Sequence, residues 1–263
     1  MNYEDIKVEK EDHLTILTIN RPEIMNCISP VTSKEMDNAL EEFIIDTNAY
    51  VCIITGAGDR AFSAGNDLKY QTQHGSDVVV RETRKIKGGF AGITSRFDCF
   101  KPLIAAVNGL ALGGGFEIAL ACDIVIAAEN ATFSFPEPRV GLIPGAGGVH
   151  RLPRQIPYHL AMAVILSSKS LSAREASQYG IVNEVVPLKD LMVTARKWAA
   201  EIMKGAPVAI RASKEAALKG LDLPLEEALA EVFPGMKALY DSEDIKEGAK
   251  AFVEKRSPRW TGF

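Results

Sequence analysis

The chain has 263 residues, 47% hydrophobic and 24% charged, with a formal net charge of −4. That composition fits a globular protein with one large core, and the acidic balance argues against a general nucleic-acid binder, whose phosphate contacts need excess Lys and Arg. No apolar run reaches the roughly 18 residues of a membrane helix, and the acidic start Met1–Asp5 lacks a signal pattern. Cys27, Cys52, Cys99 and Cys122 form neither a CxxC pair nor a zinc spacing, so free thiols in a reducing cytoplasm are expected.

Residues 5–20 alternate apolar and polar and predict a hairpin turning at Glu11-Asp12, ended by Arg21-Pro22. Thr32 with Glu35 reads as a capping box before a helix through Met36, Ala39, Leu40, Phe43 and Ile44. Val51–Thr55 is a short apolar strand closed by Gly56-Ala57-Gly58. Residues 70–100 are polar, with Arg81, Arg84, Lys85 and Lys87, and read as a mobile helical or loop insertion. The rhythm then repeats: strand Leu103–Val107, turn Asn108-Gly109, a glycine-fed helix through Ala121, and strands Ile124–Ala127 and Thr132–Phe135. From about 190 the periodicity is helical, over Leu191–Met203, Ile210–Leu218, Leu225–Leu239 and Ile245–Lys255. The division expected is 1–190 as core and 191–263 as a helical region packed on it.

Gly113-Gly114-Gly115 between a strand and a helix allows positive φ and close backbone approach. It also leaves the first N–H groups of the helix free to face a developing oxyanion. Taken alone, the same triplet reads equally as a tight strand–helix junction. The turn Phe62–Leu68 supplies a second donor, most naturally the N–H of Asn66. Glu117, in the first turn of the glycine-fed helix, and Glu137, after Phe135-Pro136, both sit in apolar stretches. Burial would raise both pKa values, and sharing a site would split them into an acid and a base. His13, His74, His150 and His159 are scattered without triad or metal spacing, so no metal site is expected.

At this point Leu17–Pro22, Ile54–Gly58, Phe62–Lys69, Lys101–Glu117, Phe135–Gly148, Gly180–Val182 and Ala251–Arg256 together resemble the crotonase superfamily, whose best-known members are enoyl-CoA hydratases. The resemblance spans nearly the whole chain. It implies an α/β fold, a spiral of ββα units with a C-terminal helical trimerisation region, and assembly as a homotrimer or a dimer of trimers. It implies an acyl-CoA substrate and no separate cofactor, coenzyme A being part of the substrate. The oxyanion hole maps to the N–H groups of Asn66 and Gly114. Coenzyme A contacts map to Ala64, Asn66, Asp67, Leu68 and Lys69, with Phe252 and Lys255 near the nucleotide end, from a neighbouring subunit.

Both hydratase glutamates stand here, at Glu117 and Glu137, so the resemblance implies hydration of a 2-enoyl-CoA, with Glu137 the proton donor. Isomerisation, hydrolysis and crotonobetainyl-CoA hydration are the alternatives within the superfamily. Gly88–Thr94 and Glu254–Trp260 are similar to the carnitinyl-CoA dehydratase (crotonobetainyl-CoA hydratase) branch, which usually carries an aromatic where Asn66 stands and Asp-Ser at Gly145-Ala146. A non-catalytic RNA-binding reading is opposed by the acidic charge and the intact glutamate pair.

Overall fold

The structure is a computed structural model describing residues 3–263, the side chain of Ser76 excepted. Strands β1 (Ile6–Glu11) and β2 (Leu14–Ile19) form the expected antiparallel hairpin. Four more strands extend it in parallel: β3 (Val51–Gly56), β5 (Leu103–Val107), β7 (Ile124–Ala128) and β10 (Glu184–Val186), giving the order β1-β2-β3-β5-β7-β10. A second sheet has the order β4-β6-β8-β9, from Ala61–Ser63, Leu110–Leu112, Thr132–Ser134 and Leu171–Ser172. Each turn of the chain therefore places one strand in the large sheet and the next in the small one. β3/β4, β5/β6 and β7/β8 are three such turns of a spiral.

Side chains of a strand alternate between its faces, and here both faces are buried. Cys52 and Ile54 of β3, Ala105 and Val107 of β5, and Val125 and Ala127 of β7 join the main core. Val51, Ile53, Ile104, Ala106, Ile126 and Ala128 point the other way, onto Leu191, Ala195 and Ala199 of helix α8 (Leu191–Met203). This double burial explains why β3 and β5 read as continuous apolar runs.

Helix α1 (Pro30–Ile45) starts earlier than the sequence suggests. Ser29 is its N-cap, the Thr32 N–H donates to Ser29 Oγ (3.1 Å), and the Ser29 N–H donates to Thr32 Oγ1 (3.3 Å). Thr32 is thus the third residue of the helix, closing the box, and not its N-cap. Pro30, which has no N–H to lose, suits the first helical position. Glu35 instead accepts the N–H groups of Glu4 and Asp5, both at 2.8 Å.

The 70–100 insertion divides in two. Helices α2 (Leu68–His74) and α3 (Ser76–Arg84) come first. Residues 85–100 are then fastened to α1 by a buried arginine. Arg96, its side chain fully enclosed, pairs with Asp37 and donates to Glu41 Oε2 (2.8 Å) and to the Gly92 carbonyl (2.9 Å). Asp37 also accepts the Gly88 N–H (2.9 Å), and Ser33 Oγ accepts that of Ala91 (3.0 Å). Breaking such a buried pair by removing one partner typically costs about 3–5 kcal/mol. This half of the insertion is therefore an anchored wall, in contrast to the mobile segment its polarity suggests.

Helix α4 (Gly114–Ala121) crosses the core. Helices α5 (Gly148–Gln155), α6 (Tyr158–Ser167) and α7 (Ala173–Gln178) follow. After α8 come α9 (Pro207–Gly220), α10 (Leu225–Ala230), α11 (Pro234–Tyr240) and α12 (Glu243–Glu254). The helix expected over 225–239 is two, because Pro234 cannot continue the hydrogen-bond ladder and holds Phe233 extended (ψ 153°). Among the described residues no helix is long and apolar enough to cross a membrane.

Candidate active site

A cavity of about 750 Å³ opens where the insertion meets the N-terminus of α4. Its wall includes Ala64, Asn66, Leu68, Gly114, Glu117 and Glu137, which the sequence places far apart.

The three glycines are required by how closely other groups approach them. A Cβ on Gly115 would lie 2.0 Å from the Ser63 carbonyl oxygen, and one on Gly114 would lie 2.4 Å from the Phe90 ring. A Cβ on Gly113, which has φ +52°, would lie 2.6 Å from Glu137 Oε1. The junction is thus packed between β4, Phe90 and the second carboxylate. The Gly113 N–H is anchored to the Ser134 carbonyl at 2.9 Å, which aims the start of α4 into the cavity.

The Asn66 turn abuts the same point. Gly65 has φ +85°, and a Cβ there would lie 2.7 Å from the Leu112 carbonyl oxygen and 2.9 Å from the Gly114 nitrogen. Residues 65–67 bridge Ile28 in parallel: the Ile28 N–H donates to the Gly65 carbonyl (2.8 Å), and the Asp67 N–H donates to the Ile28 carbonyl (2.9 Å). In such a bridge the flanking residues supply the bonds, so the N–H of Asn66 faces the opposite edge. Buried Asn26 holds this turn against β4. Its Nδ2 donates to the carbonyls of Ala57 (3.0 Å) and Ala61 (2.7 Å), while its own carbonyl accepts from Ser63 Oγ (2.8 Å). The Asn66 side-chain amide donates to Gln71 Oε1.

Glu117 is only 3% exposed, and its Oε1 accepts the Gly148 N–H at 2.8 Å. Burial pushes its carboxyl up to about 7, against the pull of the Gly148 N–H, and the nearby Glu137 charge pushes the same way. Burial also raises Glu137. Its Oε2 is enclosed and, among the described residues, has no hydrogen-bond partner. A buried carboxylate oxygen left unpaired is costly, so this atom is the natural place for a shared proton or a substrate water. Two carboxyls with raised pKa values, facing one cavity beside the start of α4 and the Asn66 turn, can exchange protons with a carbon acid and a water.

Other expected contacts lie elsewhere. Asp67 caps α2 through the Tyr70 N–H (3.0 Å) and pairs with Arg21 (3.1 Å), while Lys69 is exposed outside the cavity wall. Phe252 and Lys255 stand on the outer surface at the end of α12. The role of Gly148 was not assigned from sequence. The glycine-rich stretch Gly145–Gly148 after Pro144 was the available signal. Phe90, whose ring lies against Gly114, was likewise not assigned; it sits in the loop that Ser33 and Arg96 hold to α1.

The family model described as enoyl-CoA hydratase/isomerase matches residues 9–262. Among curated relatives, the carnitinyl-CoA dehydratase of Salmonella typhi is 41% identical over 263 residues, covering 98% of this chain and 99% of that protein. The enoyl-CoA hydratase structure from Mycobacterium marinum superposes with a TM-score of 0.91 at 38% identity, over 98% of this chain and 99% of that one. That from Bacillus anthracis gives 0.93 at 36% identity, over 99% and 100%.

Proposed function

The chain belongs to the enoyl-CoA hydratase/isomerase family, and from that premise we propose that it is a hydro-lyase adding water reversibly to a 2-enoyl-CoA, giving a 3-hydroxyacyl-CoA. The observation that carries this reading is the pair of glutamates on one cavity wall beside the start of α4, Glu117 buried and Glu137 half-buried with its Oε2 enclosed. Shifting a double bond needs one carboxyl to move one proton. Adding water needs a proton taken from water and another given to carbon, which two carboxyls supply.

The thioester oxygen sits between the N–H groups of Asn66 and Gly114. Glu117, steadied by Gly148, takes a proton from water as its oxygen bonds to Cβ. Glu137 delivers a proton to Cα, and the enolate-like charge is carried by the two N–H groups. In dehydration the two carboxyls exchange roles. Ala64 and Leu68 border the path of the thioester, and Asp67 and Lys69 lie on the same turn for contacts at its outer end.

The test is incubation with crotonyl-CoA, following loss of the conjugated thioester absorbance across pH. Burial raises both carboxyls, Glu117 to about 7, and the reaction needs one of them ionised and the other protonated. The rate should fall at low pH, where neither is ionised, and again at or above pH 7 as the remaining proton is lost. A rate that climbs steadily from pH 6 to 10 would rule out a carboxyl as proton donor, and no turnover on short, long or polar enoyl-CoAs would end the hydratase reading.

We further propose a homotrimer or dimer of trimers. Leu221, Leu225, Leu229, Phe252 and Val253 are 75–86% exposed on the C-terminal helices, an apolar surface of the kind a second copy covers. Phe252 and Lys255 would then reach the nucleotide end of a neighbour's substrate. Light scattering that gives the mass of a monomer would refute this.

A further inference from the structure

The polar groups on the cavity wall away from the glycine junction are arranged asymmetrically in charge. Thr83, Arg84 and Lys87 come from α3 and the turn after it. The surrounding charges are mostly satisfied: Lys87 lies 2.6 Å from Asp98, Lys85 lies 2.9 Å from Glu82, and Arg81 lies 3.6 Å from Glu82. Arg84 is the exception. Among the described residues it makes no hydrogen bond or ion pair, although it lines the cavity.

The acids of the wall are Glu117 and Glu137 alone, and both belong to the reacting pair. A cationic acyl tail would find no carboxylate outside that pair, and the aromatic on the wall, Phe90, is pressed against Gly114. Asn66 is already paired with Gln71 and is neutral. An anionic tail would find Arg84, exposed at the cavity wall and without a protein partner among the described residues, whose planar fork of N–H donors matches a carboxylate.

We propose that the enzyme selects acyl chains ending in a carboxylate, the monothioesters of unsaturated dicarboxylic acids, and that Arg84 is the residue that reads that end. This rests on the acyl-CoA reading above and extends it from reaction to substrate class. Neutral chains bind less well, and chains ending in a quaternary ammonium least of all.

The test uses saturated esters that cannot react: glutaryl-CoA, butyryl-CoA and 4-(trimethylammonio)butyryl-CoA, with binding measured by calorimetry. The wild-type protein should bind glutaryl-CoA about tenfold more tightly than butyryl-CoA, the scale of a charge-assisted hydrogen bond, and the cationic ester most weakly. In Arg84→Gln the glutaryl-to-butyryl ratio should fall to about one, and Arg84→Lys should keep part of it. Equal or reversed affinities in the wild type would overturn the proposal. So would an equal loss on all three esters in Arg84→Gln, which would assign Arg84 to the phosphates of coenzyme A. Hydration of crotonyl-CoA without the tail preference removes this inference alone. The tail preference without hydration of any enoyl ester removes the hydratase reading alone.

Discussion

Replacing either glutamate by glutamine is expected to lower kcat for enoyl-CoA hydration by about 10²–10⁴-fold, the range of a positioned acid or base. Affinity for coenzyme A esters should stay nearly constant, because Glu117→Gln and Glu137→Gln keep the shape of the wall. A glutamine at 117 still offers an oxygen to the Gly148 N–H but cannot take a proton from water. The double replacement should cost little more than the worse single one, since the two groups act as a unit. Steady-state kinetics with crotonyl-CoA check this, and near-normal hydration in either variant would remove the role assigned to that residue.

Glu117→Gln has a second expected consequence, of opposite sign. The folded protein holds this carboxyl at about 7, against an ordinary value of 4.5. Below 4.5 the group is neutral whether folded or unfolded and costs nothing. As pH rises through the folded value, the native state must carry a buried charge that the unfolded chain carries in water. The variant should therefore melt at a higher temperature than the wild type at pH 8, with the difference vanishing near pH 4. Thermal unfolding at the two pH values separates this from a generic packing effect.

Gly65→Ala should be nearly as damaging to kcat without touching either carboxyl. The added methyl would lie 2.7 Å from the Leu112 carbonyl and 2.9 Å from the Gly114 nitrogen, and both of those are backbone. No flexible side chain can yield, so the two turns must part, and the φ of +85° adds strain for any residue with a Cβ. Parting them misaligns the N–H groups of Asn66 and Gly114. Losing one oxyanion donor costs about 2.7–4 kcal/mol in the barrier, or about 10²–10³-fold in kcat. A folded variant, judged by circular dichroism, whose kcat lies within about threefold of wild type would show that these two turns do not form the oxyanion hole.

Much of this was legible in the sequence, and the limits were physical. The hairpin over 5–20 could be read because its turn and alternation are local. The start of α1 was misread because two capping patterns compete within seven residues. Ser29-Pro30 won over Thr32-Glu35, whose glutamate is taken by the N–H groups of Glu4 and Asp5. The division of 225–239 was legible in Pro234 but was overridden by helical periodicity. The polar 85–100 stretch looked mobile because nothing local shows that Arg96 will be buried between Asp37 and Glu41, some 55 residues earlier.

The sequence by itself determined the chemical parts: three glycines before a helix, a small-residue turn carrying Asn66, and two glutamates in apolar settings. Only the tertiary structure decided that they meet. The two-sheet spiral brings Ser63, Phe90 and Glu137 to within clash distance of a Cβ on the glycine junction, and Leu112 and Gly114 to within clash distance of one on Gly65. It also leaves Arg84, on the same wall, without a partner among the described residues. Local pattern specifies what each segment offers, whereas burial, approach distance and unpaired charge depend on which other segments arrive beside it.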